Sequence, residues 1–218
     1  MTDRMPDSES VDRRGDDPVA WFEPLYAAAA KGEATVPWDR GAPHPLLVEW
    51  AGQRQLDGHG RSALIVGSGL GDNAEYIASL GFETLAFDVS PSAIAAARER
   101  FPGSRVTYRV GDLLAPPAEW ARRFDLVVEI YTVQALPIDY HAPASRSVGE
   151  MVAPGGVLIV ISAARADDQQ ASGPPWPLTR SELDAFAASG LVPGQVEDLA
   201  TEMPPFPRHW RVEFTRPS

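Results

Sequence analysis

The chain contains no cysteine, which excludes disulfides, thiolate metal sites and a thiol nucleophile together. Lysine is almost missing too: Lys31 is the one lysine among nineteen basic residues, set against thirty acidic ones for a net charge of −11. A field of that sign repels phosphate backbones, so nucleic acid is not an expected partner. No apolar run approaches the roughly 20 residues of a membrane span, and the opening MTDRMPDSESVDRRGDD lacks the apolar centre of a secretion signal. The expectation is a cytoplasmic protein with no membrane partner. Internal repeats are lacking as well. Alanine, glycine and proline are plentiful, and with arginine in place of lysine this is the composition of a GC-rich genome such as an actinobacterial one. Oligomeric state is not legible, because an apolar patch belongs to the folded surface.

At 218 residues there is room for one well-buried domain with additions. Residues 1–17 are charged and poor in large apolar side chains, the composition of a disordered tail. Residues 18–60 read as a helical lid segment. DPVAWFEPLYAAAA is a helix opened by Asp17 and Pro18, and PWDRGAPHP leads into a second helix through Leu46, Leu47 and Trp50. From residue 61 apolar runs alternate with helical patterns. Strands are expected at Ala63–Val66, Glu83–Phe87, Val106–Arg109, Leu126–Ile130 and Val157–Ile161, and helices at Asn73–Leu80, Pro91–Phe101, Pro117–Arg122 and Ala142–Val152. Such alternation predicts an α/β fold, a doubly wound parallel sheet between two helical layers. The tail changes rhythm: TRSELDAFAASG is a capped helix, and strands near Val196–Leu199 and Trp210–Thr215 have only a proline-rich loop between them, which predicts an antiparallel hairpin. Ala166–Pro177 has no periodicity and reads as a mobile loop.

ALIVGSGLGDNAEYIASLG runs from a buried strand through glycines into a helix. Gly67, Gly69 and Gly71 form G-x-G-x-G, and Asp72 stands where a dinucleotide fold puts its third glycine. A carboxylate there opposes a pyrophosphate and suits a cationic or hydroxyl-bearing ligand. No Gly-Lys-Ser/Thr follows, so a P-loop fits less well than the dinucleotide turn. Asp88 ends the second strand seventeen residues beyond Gly71, near the roughly 20-residue spacing at which an acid holds ribose hydroxyls. Asp112 ends the third, where it can accept from the amine of a base.

In these motifs the sequence resembles the class I S-adenosylmethionine-dependent methyltransferases. The likeness runs through VGSGLGD, FDVSPSAI, GDLL, FDLVVEIYTVQAL and MVAPGGVLIVIS, and covers residue 62 to the C-terminus. Upstream, VPWDRGAPHPLL resembles the cofactor-covering segment of the thiopurine methyltransferase-like branch. A mycobacterial sugar O-methyltransferase acting on methylmannose precursors is the more specific likeness. The resemblance implies a Rossmann-like seven-stranded sheet with an antiparallel last strand in a three-layer α/β/α arrangement. It implies S-adenosyl-L-methionine as cofactor, S-adenosyl-L-homocysteine as product and a small-molecule acceptor. Cofactor contacts would fall on Trp38, Gly67, Gly69, Gly71, Asp72, Asp88, Val89, Asp112, Leu113 and Glu129. One departure stands out: the family commonly carries an acid two residues before the first glycine, and Ile65 occupies that place. Polar anchoring of the methionine ammonium must then come from Glu129 or from backbone carbonyls.

Methyl transfer is an in-line displacement, so positioning and exclusion of water supply much of the acceleration. A hydroxyl acceptor also needs a base, and histidine is the usual one near neutral pH. Of four histidines, His59 and His209 read as structural, His44 lies in the lid, and His141 follows the fourth strand beside Asp139. His141 is the expected general base, with Glu129 and Tyr131 as alternatives for gripping cofactor or acceptor. Hydroxyl methylation is therefore the expected reaction, against transfer to a thiol or a non-catalytic cofactor-binding module. A divalent metal remains open, though no ligand spacing marks a site.

Overall fold

The computed structural model describes residues 17–171 and 173–218, so the tail expected to be disordered lies, but for Asp17, outside the described residues. Helices α1 (Phe22–Ala30) and α2 (Pro45–Gln53) precede the alternating part. There β1 (Ser62–Val66), α3 (Asp72–Ser79), β2 (Glu83–Asp88), α4 (Pro91–Arg100), β3 (Thr107–Val110), β4 (Phe124–Ile130), α5 (His141–Glu150) and β5 (Val152–Ala163) follow in turn. The strands β6 (Val192–Ala200) and β7 (Arg208–Thr215) close the chain. They form one seven-stranded sheet in the order β3-β2-β1-β4-β5-β7-β6. Strands β1 to β5 run parallel to one another, while β7 runs antiparallel to both β5 and β6, as the late hairpin predicts.

The near-continuous apolar runs follow from burial on both faces. Along β1, Leu64 and Val66 enter one core with Phe87, Val127, Val148 and Phe186, while Ala63 and Ile65 enter the other with Ile77, Ile94, Leu47 and Trp50. This gives the three layers. Because β1 leads one way to β2 and the chain later returns to lay β4 on its other side, the sheet has a switch point between β1 and β4. Open α/β sheets bind their ligands beside such a point, at the carboxyl ends of the strands.

Several elements differ from the sequence-based expectation. The helix expected at Pro117–Arg122 is a single 3-10 turn, Ala118–Trp120, because Trp120 is drawn into the core 4.8 Å from Phe87. The last helix is 3-10 over Glu182–Ser189, yet its cap is as predicted: Glu182 N donates to Thr179 Oγ1 and Thr179 N to Glu182 Oε2. Strand β5 starts five residues early and takes the glycines in as a bulge, the register shifting between Phe124 and Leu126. Gly156 is required there, since a Cβ would lie 2.9 Å from the Phe124 carbonyl oxygen. Around Ala166–Pro177 the ends are tied, Arg165 Nε donating to the Pro177 carbonyl and Trp176 N to that of Gln134.

Candidate functional site

Four acids and the glycine turn gather at the carboxyl edge of the sheet. Gly67, Gly69 and Gly71 all have positive φ, at 59°, 51° and 97°. They are hemmed in as well: a Cβ on Gly67 would meet Thr132 Oγ1 at 2.3 Å, and one on Gly69 the Tyr26 hydroxyl at 2.9 Å. Asp88 is buried beside the turn, with Gly69 N donating to Oδ2 at 2.9 Å and Ser90 N to Oδ1 at 3.0 Å. Burial pushes its carboxyl up, and those two N–H groups work against the shift. Val89 beside it is half-buried. Asp112 accepts from Leu114 N at 2.8 Å, and Leu113 is buried in the core. Asp72 stands at the start of α3, but not as an isolated acid: Arg100 Nη2 lies 3.3 Å from it.

The segment preceding β1 folds over this edge. Trp38 Nε1 donates to the Tyr26 hydroxyl at 2.8 Å, and both side chains lie over Gly69. Trp21 and Phe22 pack against Trp38. Glu23 docks α1 on the start of α4, accepting from Ser90 Oγ, Ser92 Oγ and Ser92 N. Nothing in the sequence pairs Glu23 with that SPS motif; only docking of α1 brings them together.

Glu129 is fully buried at the end of β4. Its Oε1 accepts from Thr132 N at 2.8 Å and Val133 N at 3.0 Å, whereas Oε2 has no partner. Burial lifts the carboxyl to about 7 despite those two donors.

His141 does not face this edge as a base must. It is 3% exposed, Nδ1 lies 2.9 Å from Glu182 Oε1, and Nε2 lies 3.0 Å from the Leu136 carbonyl oxygen. Both ring nitrogens are thus taken, and the ring locks the start of α5 to the 3-10 segment beyond β5. Glu182 also holds Arg165 at 3.0 Å. Burial pushes Glu182 up, but the bonds from His141 and Thr179 outweigh it and bring the carboxyl down to about 2.

The structure instead brings His44 and His209 to Tyr131, which has φ 64° just past β4. The chain of bonds has one consistent direction. Leu46 N donates to His44 Nδ1 at 3.3 Å, so the proton of neutral His44 sits on Nε2 and points to the Tyr131 hydroxyl at 3.1 Å. Tyr131 then donates to His209 Nε2, and His209 Nδ1 donates to Thr201 Oγ1 at 2.9 Å. Burial keeps both imidazoles neutral, lowering His44 to about 3, with His209 and Arg40 adding to the shift, and His209 to about 4, with Arg40 adding. Phe206 lies 5.9 Å from the Tyr131 ring, and Met203 and Leu199 pack into the same core. Sequence reasoning placed His209 in the hairpin and missed that its ring closes this cluster.

A buried acid with an unpartnered oxygen, a second buried acid beside positive-φ glycines and a third acid after β3 fit a cationic, hydroxyl-bearing ligand such as S-adenosylmethionine. Among the described residues no three acidic or imidazole side chains come together as a metal site, and no helix is long and apolar enough to cross a membrane.

Known proteins agree with this reading. A methyltransferase domain is matched over residues 63–156. The chain is 26% identical over 168 residues to the 2-heptyl-1-hydroxyquinolin-4(1H)-one methyltransferase of Mycobacteroides abscessus, covering 74% of this chain and 72% of that protein. It is 29% identical over 184 residues to the 2-methyl-6-phytyl-1,4-hydroquinone methyltransferase of Synechocystis, covering 74% of this chain but only 55% of the relative. The N-methyltransferase NodS of Bradyrhizobium japonicum, solved with S-adenosyl-L-homocysteine, has the same fold at TM-score 0.68 and 20% identity, with 90% of this chain and all of that one covered. The sheet order is that of the Rossmann-like methyltransferase fold, and the matched domain and these relatives support an S-adenosylmethionine-dependent methyltransferase.

Proposed function

We propose that this enzyme methylates a hydroxyl on a small, ring-bearing acceptor seated against Tyr131. The observation that carries the reading is the oriented chain from His44 through Tyr131 and His209 to Thr201, with two neutral buried imidazoles and one phenol just past β4. Phe206 beside Tyr131, with Met203 and Leu199 in the same core, favours a flat aromatic ring over the sugar that the more specific sequence likeness suggested. Both relatives are named for hydroxylated ring compounds. The thiopurine-like lid motif is the support for the soft-nucleophile alternative, in which no base is needed.

When bound, S-adenosylmethionine supplies a methyl group activated by a sulfonium and leaves as a neutral thioether, so a hydroxyl acceptor must shed one proton. Asp88 would hold the ribose hydroxyls, Asp112 the amine of the base, and the Gly67–Gly71 turn the chain between them. Residues 18–60 act as the lid, with Tyr26 and Trp38 excluding water above Gly69. On the acceptor side Tyr131 takes the hydroxyl proton while passing its own to His209 Nε2. His209 becomes an imidazolium whose Nδ1–H still donates to Thr201 Oγ1. His44 holds the phenol from the other side. No role as base falls to His141.

The test is transfer of labelled methyl from S-adenosylmethionine to a panel of hydroxyquinolones, phenols, sugars and thiols, with product mass read out. Label on an aromatic hydroxyl oxygen is expected. Label confined to sulfur would overturn the hydroxyl reading, and label confined to sugars would overturn the ring.

A further inference from the structure

The lid, the relay and the edge acids leave the free oxygen of Glu129 unexplained. We propose that Glu129 is the counter-ion of the cofactor's methionine ammonium and gives up a proton when the cofactor loads, an inference that rests on the cofactor site described above. The usual place for such an acid, two residues before Gly67, is Ile65, so β1 offers no carboxylate. The neighbouring strand does. Glu129 is in register with Val66, the residue before the glycine turn. The contact is close: Thr132, whose N–H holds Glu129 Oε1, donates its hydroxyl to the Val66 carbonyl at 3.0 Å and fills the space where a Cβ of Gly67 would be.

A purely structural carboxyl would need only Oε1, which already satisfies the two N–H groups of the turn. Oε2 is buried and has no partner, and on the other side of Gly67 the buried hydroxyl of Ser68 has none either. Leaving a buried polar atom unpaired is costly, so an unmet carboxylate oxygen beside the glycine turn marks a place made for a donor. An ammonium is such a donor, with three N–H bonds and a positive charge. The elements packed against Glu129 bring Val66 from β1, Val160 from β5, and Thr132 and Val133 from the following turn, none of them titratable. With no cation beside it, burial holds the carboxyl near 7, so near neutral pH the free enzyme carries it half protonated. A cation arriving beside Oε2 favours the carboxylate, and the proton leaves.

Titration calorimetry of the full chain in buffers of different ionisation heat tests this. The probes are S-adenosyl-L-homocysteine, which keeps the ammonium, and 5′-methylthioadenosine, which keeps the nucleoside and lacks the amino acid. S-adenosyl-L-homocysteine binding is expected to release a proton, more completely at pH 6 than at pH 8, and the truncated ligand none. Glu129→Gln keeps an oxygen for the turn. It should abolish the release and weaken S-adenosyl-L-homocysteine roughly tenfold or more, while 5′-methylthioadenosine stays within about twofold. Equal weakening of both ligands would assign Glu129 to the turn alone and overturn the proposal, as would an unchanged proton release in the variant. Failure of the folded wild type to bind either ligand would instead overturn the cofactor site itself, and this inference with it.

Discussion

Replacing His141 with alanine separates a structural from a catalytic histidine. The ring is buried, with one nitrogen on the Glu182 carboxylate at 2.9 Å and the other on the Leu136 carbonyl oxygen at 3.0 Å. The variant loses a charge-assisted bond, leaves the Leu136 oxygen unpaired and opens a cavity of ring size. Arg165 and Thr179 N remain on Glu182 and soften the loss. Together these amount to about 3 kcal/mol. In a domain of this size each kcal/mol moves the melting midpoint by about 2–4 °C, so a fall of about 6–12 °C is expected. Calorimetry gives the midpoint, and kcat is measured well below it, where the variant stays folded. There kcat should remain within about threefold of wild type. An unchanged melting midpoint with a hundredfold or greater loss of kcat would refute this reasoning and restore His141 as the base.

Tyr131→Phe keeps the ring but breaks the relay, so kcat should fall about 100-fold or more with S-adenosyl-L-homocysteine affinity unchanged; equal turnover on a hydroxyl acceptor would remove the relay from the chemistry. Because His209 is held near 4 and is a base only when neutral, the acid limb of kcat/KM for the acceptor, measured with S-adenosylmethionine saturating so that Glu129 is already ionised, is expected near pH 4 and not near the ordinary histidine value, a shift that a pH profile reads directly. Glu182 has its folded pKa lowered to about 2, so its stabilisation is complete above the unfolded value near 4.5 and fades as pH falls towards 2. Acid unfolding of His141→Ala should accordingly start at higher pH than in wild type. Gly67→Ala places a methyl 2.3 Å from Thr132 Oγ1 at φ 59°, and loss of cofactor binding in calorimetry should exceed that from Gly103→Ala, which meets nothing within 4 Å.

Where a segment's own composition forces its environment, the sequence was enough. Strands such as ALIV and VLIVI are apolar on both faces and fit only the middle of a helix-covered sheet, and G-x-G-x-G bounded by strand and helix gives a positive-φ turn whatever surrounds it. The edge acids followed from the same order of elements, since each strand ends at the same rim. Side-chain direction was not legible in that way. His141 lies after β4, where the fold puts its acceptor, yet it opens a helix and turns inward to Glu182, 41 positions later. Tyr131, at the end of the same strand, turns to His44 and His209 from 87 and 78 positions away. Periodicity sets which face of one element is buried and carries no information on which polar tips meet across three of them. The composition, the sheet, the glycine turn and the rim of acids were thus determined by the sequence itself. Which histidines touch Tyr131, which one is spent on packing, and that one oxygen of Glu129 stays unpaired were decided only when distant segments packed together, because buried hydrogen bonds are chosen by tertiary neighbours.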